Sequence, residues 1–312
     1  MSERLIPRGV IPAPILPFDS ELRIDERAYR SHLRDILAVE GISGVVITGV
    51  AQEAYALSIE EQKRVIDITL EEVGDKIWVA PATYCEGSKQ AAALARQAEA
   101  AGAQALLIFP SYMFMIGAQD RPEMVLNHFR IIADATDLSM IVFLFPLSGQ
   151  QGFLGYTTET LIQLAEEIPQ VVAIKDACNN PAQSEKNIRA LHRLGRPFSV
   201  LSTHSWWLMP SLVTGADGLL SGSGSVIADL HVKLWNAIQK KDLATAQFLN
   251  DRIWPFAQVI YQPPFCDAHS RLKEALVLLG RQKNAYIRPP LLSCERDVPK
   301  LREALIAAGL LK

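Results

Sequence analysis

Cysteine is scarce in this chain, and the four present stand alone. Cys85, Cys178, Cys266 and Cys294 show no CxxC spacing and no companion histidine cluster, which argues against a disulfide framework and a structural zinc site. Reduced thiols are expected. An excess of charge of one sign is also missing. With 21% charged residues and a formal net charge of -3, no field is available to recruit nucleic acid or an anionic membrane. No apolar run approaches the roughly 18 to 20 residues of a membrane span. The opening Met1-Ser2-Glu3-Arg4-Leu5-Ile6-Pro7-Arg8 has no apolar stretch of the secretory kind. A soluble, cytoplasmic protein without nucleic-acid or membrane partners is therefore expected. A dinucleotide fingerprint is lacking too: Gly222-Ser223-Gly224-Ser225-Val226-Ile227 misses the third glycine and follows the last strand rather than the first.

What the chain does have is a regular alternation of strands and helices. Of its 312 residues, 49% are hydrophobic, enough for a substantial core. Short apolar runs read as strands near residues 9–18 (interrupted by prolines), 44–48, 77–80, 105–109, 139–145, 171–176, 198–202 and 218–221. Between them lie helical patterns. Tyr29, Leu33, Ile36 and Leu37 share one face, Ser58 and Glu61 form a capping box, and residues 88–101, 124–133 and 157–167 continue the series. A further helix is expected to end near Leu194-Gly195. Gly41-x-x-Gly44, Gly102-x-x-Ala105 and Gly215-x-x-Gly218 repeat one joint, in which a glycine ends a helix and a small residue opens a strand. Eight βα units predict a (β/α)8 TIM barrel. The expected division is a barrel core over residues 1–225, followed over 226–312 by its last helix and a helical C-terminal extension.

Active sites of such barrels gather at the C-terminal ends of the strands. That face collects Val50, Ala51, Gln52 and Glu53; Thr83 and Tyr84; Ser111 and Tyr112; Phe143; Lys175 and Asp176; Thr203, His204 and Ser205; and Leu220 to Ser225. Lys175 is the one lysine among them. It closes the apolar run Val171-Val172-Ala173-Ile174, so it is either a desolvated amine nucleophile or a lysine that has cleared the sheet and pairs with Asp176 or a neighbouring loop. Carboxylates are sparse and histidine appears once, so a metal centre with three convergent ligands is not expected. Glu53 reads as a base or a loop anchor, and His204 as an acid–base group or a solvated loop residue. The stretch 221–225 reads as an anion cradle or a tight turn.

The order of Gly9-Val10-Ile11-Pro12-Ala13, Pro17-Phe18, Gly49-x-x-x-Glu53, Pro110-Ser111-Tyr112, Pro146 and Ile174-Lys175-Asp176 resembles the dihydrodipicolinate synthase/N-acetylneuraminate lyase family of class I aldolases over nearly the whole chain. The resemblance implies a homotetramer, a dimer of dimers. Lys175 would condense with pyruvate or another 2-oxo acid, and the lysine Schiff base would be the only cofactor. Residues 50–53, His204 and Leu220 are expected from their places at the strand ends to line the substrate, and the resemblance implies that Tyr112 belongs to the family's tyrosine pair.

Several positions depart from the family pattern. Val50 and Ala51 replace the threonines of the usual GTTGE, Phe143 stands where the family has a proton-shuttling tyrosine, and residues 147–150 lack the arginine that holds the second carboxylate in dihydrodipicolinate synthase. A phenyl ring neither donates nor accepts a proton. The expectation is a Schiff-base lyase, an aldolase or dehydratase, other than dihydrodipicolinate synthase itself. The alternative is a catalytically degenerate barrel that binds a small molecule.

Overall fold

The computed structural model describes residues 4–144, 156–178, 180–203 and 206–312. The apolar runs form eight strands: β1 (Gly9–Pro12), β2 (Gly44–Ile47), β3 (Trp78–Thr83), β4 (Ala105–Ile108), β5 (Ser139–Leu144), β6 (Val171–Asp176), β7 (Ser199–Ser202) and β8 (Gly218–Ser221). All pair in parallel, in the order β1-β8-β7-β6-β5-β4-β3-β2. The remaining seam is bridged where the Ser43 N–H donates to the Val10 carbonyl at 3.0 Å. The barrel is thus nearly closed.

Seven helices alternate with the strands: α1 (Glu26–Leu37), α2 (Ile59–Val73), α3 (Ser88–Ala101), α4 (Pro122–Ala133), α5 (Thr158–Glu167), α6 (Pro181–Leu191) and α7 (Leu208–Thr214). α8 (Gly224–Gln239) completes the ring, and α9 (Leu243–Tyr261), α10 (Ala268–Leu278) and α11 (Val298–Ala307) form the C-terminal helices. The capping box opens α2: Ser58 Oγ accepts the Glu61 N–H, and the Glu61 carboxylate accepts the Ser58 N–H. α6 ends at Leu191 rather than near 194–195: His192 caps it with its N–H still on the Ile188 carbonyl, and Arg193 and Leu194 continue only in tighter turns, bonding the Ala190 and Leu191 carbonyls. β3 runs to Thr83, past the expected Ala80, since residues 78–81 pair with β2 and residues 82–83 with β4.

The small residues of the repeated joint are sterically required. A Cβ on Gly218 would lie 2.3 Å from the Gly9 carbonyl oxygen, and one on Gly44 would lie 2.2 Å from the Trp78 ring.

Two apolar layers follow from the period-two alternation of strands. Val10, Val45, Leu106, Val142, Ile174 and Leu219 point outward and meet the helices. Ile11, Val46, Leu107, Ile141, Leu201 and Leu220 fill the barrel interior, with Ala80, Ala82 and Ala105 leaving room opposite them. β6 breaks this alternation once. Met140 pairs with Val171 and Ile141 with Ala173, so Val172 is one extra residue, a bulge. Val172 and Ala173 both face inward, Ile174 outward, and Lys175 inward. Uninterrupted alternation from outward-facing Val171 would aim Lys175 at the helices. The bulge turns it into the barrel.

Candidate active site

Lys175 sits in the interior near the C-terminal end of β6, with 8% of its surface exposed. Burial lowers its pKa from 10.5 to about 7, because an ammonium loses hydration there and an amine loses little. Its Nζ lies 4.1 Å from the centroid of Phe143, the cross-strand partner in register. Among the described residues no carboxylate is bonded to it. Asp176 points the other way, its carboxylate accepting the Cys178 N–H at 2.9 Å and the Ser184 hydroxyl at 2.7 Å. Of the two readings of this lysine, the pairing with Asp176 is thereby excluded.

From Phe143 a row of edge-on aromatic contacts leads across the mouth. Phe143 to Phe109 is 4.9 Å between centroids, Phe109 to Tyr84 is 5.1 Å, and Tyr84 to Tyr55 is 6.5 Å. This wall is apolar except for its tyrosine hydroxyls. Opposite it, Leu220 is fully buried in the barrel floor and Ala51 is 7% exposed.

The loop after β2 carries four of the expected substrate-binding residues, and their side chains are employed differently. Val50 is half-buried beside the barrel cluster that contains Ala51. Gln52 turns away from the mouth, accepting the Thr48 N–H at 2.6 Å and donating to the Tyr29 hydroxyl at 2.8 Å. Glu53 adopts a left-handed backbone (φ 56°) and is fully buried. Its carboxylate accepts from the Lys273 ammonium and from the Arg288 N–H at 2.8 Å. Glu53 is therefore a loop anchor, tying the β2 loop to α10 and the segment beyond it.

Tyr112 is 57% exposed, on a turn held where Glu86 accepts the Tyr112 N–H at 2.7 Å and the Ser111 hydroxyl at 2.9 Å. The structure does not bring its ring to Lys175 within one protomer. His204 and residues 147–150 lie outside the described residues. In the stretch after β8, Ser221 and Ser223 bond each other at 2.8 Å, and Ser225 accepts the Ile15 N–H and donates to the Ala13 carbonyl. Those hydroxyls are engaged in holding a turn.

Asp267, Cys294 and Asp297 place potential metal-ligand atoms within 4.8 Å of one another. Cationic side chains already neutralise that cluster: Arg271 Nε donates to Asp297 at 2.7 Å and Arg296 to Asp267 at 2.9 Å. Burial raises the Cys294 thiol to about 11, which disfavours the thiolate a metal would need.

A model of the dihydrodipicolinate synthetase family matches residues 6–308. The chain belongs to that family. A 4-hydroxy-tetrahydrodipicolinate synthase of Neisseria meningitidis serogroup B (strain MC58) is 30% identical over 310 residues, covering 97% of this chain and 99% of the relative. Among solved structures, a monomeric dihydrodipicolinate synthase variant superposes with a TM-score of 0.88 at 25% identity, covering 97% of both chains. A prophage protein of the family from E. coli K12, solved in complex with pyruvate, gives 0.88 at 23% identity, covering 97% of this chain and 99% of that one. Dihydrodipicolinate synthetase family members are class I lyases and aldolases that work through a lysine Schiff base and no other cofactor.

Sequence reasoning did not find the part that α10 plays at the mouth. Lys273 and His269 stand one helical turn apart, and Leu272 and Leu276 on the same helix are buried. A lysine set among buried leucines was the available signal.

Proposed function

We propose that the chain is a class I lyase in which Lys175 Nζ condenses with the C2 carbonyl of pyruvate or another 2-oxo acid, cleaving, forming or dehydrating a substrate other than aspartate semialdehyde. The observation that carries this reading is a buried amine with no bonded carboxylate among the described residues, facing the barrel mouth with its pKa lowered to about 7. At neutral pH a substantial share of such lysines is unprotonated and able to attack a carbonyl. The departure in substrate rests on Val50, Ala51 and Phe143. They leave an aromatic wall and an aliphatic loop where the family pattern has three hydroxyls. Assembly into a homotetramer belongs to the same reading. Tyr112, Met113 and Ile116 support it, being 57, 53 and 60% exposed on a single turn of one protomer.

The test is to incubate the protein with a panel of 2-oxo acids including pyruvate, reduce with borohydride, and map the adduct by peptide mass spectrometry. A reduced adduct on Lys175, absent from Lys175→Ala, is the expected result. No adduct across the panel refutes the reading. Sedimentation velocity addresses the assembly, and a monomer at micromolar concentration would refute that part alone.

A further inference from the structure

A Schiff-base lysine needs a neighbour that gives and takes protons, and the β5 position facing Lys175 offers only the phenyl ring of Phe143. Tyr55 has a buried hydroxyl without a hydrogen-bond partner among the described residues. It stands three ring contacts away from Phe143, beyond Tyr84 and Phe109. His269 is placed differently. It is the second residue of α10, and α10 packs on the Val50–Gln52 turn at the end of β2. Lys273, one turn further along α10, reaches Glu53 in that same loop, and residues four apart share a helix face. Leu272, three residues on from His269, contacts the other side of the mouth, 3.6 Å from where a Cβ on Gly222 would be.

His269 is therefore carried on the face of α10 that spans the mouth between the ends of β2 and β8. The charges of Lys175 and Lys273 both bear on its imidazole. The side chain is enclosed by protein yet keeps part of its surface accessible, as a residue lining a cleft does. Burial first, and the two ammonium groups second, lower its pKa to about 4. The imidazole is neutral at pH 7, with one nitrogen free to accept a proton and the other bearing one to donate.

We propose that His269 is the acid–base residue of the Lys175 reaction, in place of the hydroxyls this chain lacks. The proposal rests on the Schiff-base reading above. As the amine adds to C2, the C–N bond forms and the carbonyl π pair moves to oxygen. His269 relays the proton released at nitrogen to that oxygen. The C–O bond then breaks, the oxygen leaves as water with a second proton that His269 takes up from solvent and passes on, and the nitrogen lone pair closes the C=N bond. Amine, carbonyl and one proton become iminium and water. The neutral imidazole next removes a proton from C3, and the C–H pair forms C2=C3 while the C=N pair returns to nitrogen.

The experiment uses the full-length protein with pyruvate in D2O and takes two readings on wild type, His269→Asn and His269→Gln. The first is the equilibrium fraction of borohydride-trapped Lys175 adduct. The second is the rate of C3 proton exchange by NMR. Exchange is expected to fall by about 100-fold or more in the variants, while the equilibrium adduct persists and added imidazole partly restores exchange in His269→Gly. Exchange within about threefold of wild type, with adduct formed, overturns the role of His269 and leaves the lysine reading standing. No adduct in wild type overturns both. Should the variants not fold, carbethoxylation of His269 in the wild-type protein reads the same group. Exchange that survives complete modification overturns the proposal.

Discussion

Replacing Lys175 with methionine is expected to stabilise the protein, by an amount that shrinks as pH rises. The amine is buried in both protonation states, and its folded and unfolded pKa values lie about 3.5 pH units apart. Each unit corresponds to about 1.4 kcal/mol, so below pH 7 the buried ammonium costs about 5 kcal/mol relative to a neutral side chain. The Phe143 face at 4.1 Å offsets about 1 to 2 kcal/mol of this through its attraction for the cation. The net cost is therefore about 3 to 4 kcal/mol at pH 6. The sign follows from proton counting. Between the folded and unfolded pKa values the unfolded chain binds more protons, so stability rises with pH from about 7 to 10.5 and is level below. At pH 9 only about 1.5 pH units of that window remain, and the advantage of Lys175→Met shrinks to about 2 kcal/mol. Urea denaturation of both proteins at pH 6 and pH 9, at one protein concentration so that any assembly contributes equally, measures it. A loss of stability at pH 6, or a gain that does not change with pH, would refute the picture of an unpaired buried amine.

Three further outcomes follow from the site. The rate of borohydride trapping at saturating pyruvate should rise with pH and level off above about 7 to 8 as the Lys175 ammonium is lost; a midpoint near 10 would mean a solvated lysine. Phe143→Tyr places a hydroxyl in the side chain that faces Nζ and should speed C3 exchange of pyruvate about tenfold or more, with unchanged exchange counting against a proton-transfer deficit at β5. Glu53→Gln removes the buried partner of Lys273 and should cost about 3 to 5 kcal/mol at pH 7. Urea midpoints should show a smaller loss at pH 10, where Lys273, lowered by burial to about 8, is neutral in both proteins.

The barrel was legible because its signals are local and repeated. Each strand is a short run of apolar residues, and three αβ joints carry a small residue, whose role is visible in the clash that a Cβ at Gly44 or Gly218 would create. The aim of Lys175 was not legible in this way. All four residues before it are apolar, so they fit either face of a strand buried on both sides, and nothing in their order marks Val172 as the extra residue. The bulge depends on the register with β5, a property of two strands together. Position on the strand ends could be inferred from the sequence, whereas orientation required the pairing.

The same distinction separates the loop after β2 from the rest of the site. From the sequence, Gln52 and Glu53 are polar residues at a strand end and so look available to a substrate. Their partners, Tyr29, Lys273 and the Arg288 backbone, lie 23, 220 and 235 residues away, and no local pattern announces them. Once those partners are known, the loop acts as a strut between the barrel and α10. This changes what the C-terminal helices are for. Arg271 donates to the Ile260, Gln262 and Pro264 carbonyls and to Asp297, bracing the start of α10 from behind. Lys273 binds Glu53 from the front. A helix fixed on both sides holds its first turn, with the partly accessible His269 on it, at a set height above the barrel. If the helices served only to cover apolar surface, their leucines would suffice. A buried arginine and a buried lysine carry desolvation costs that leucines do not: Arg271 fixes α10 to the end of α9 and to Asp297, and Lys273 fixes it to the loop after β2.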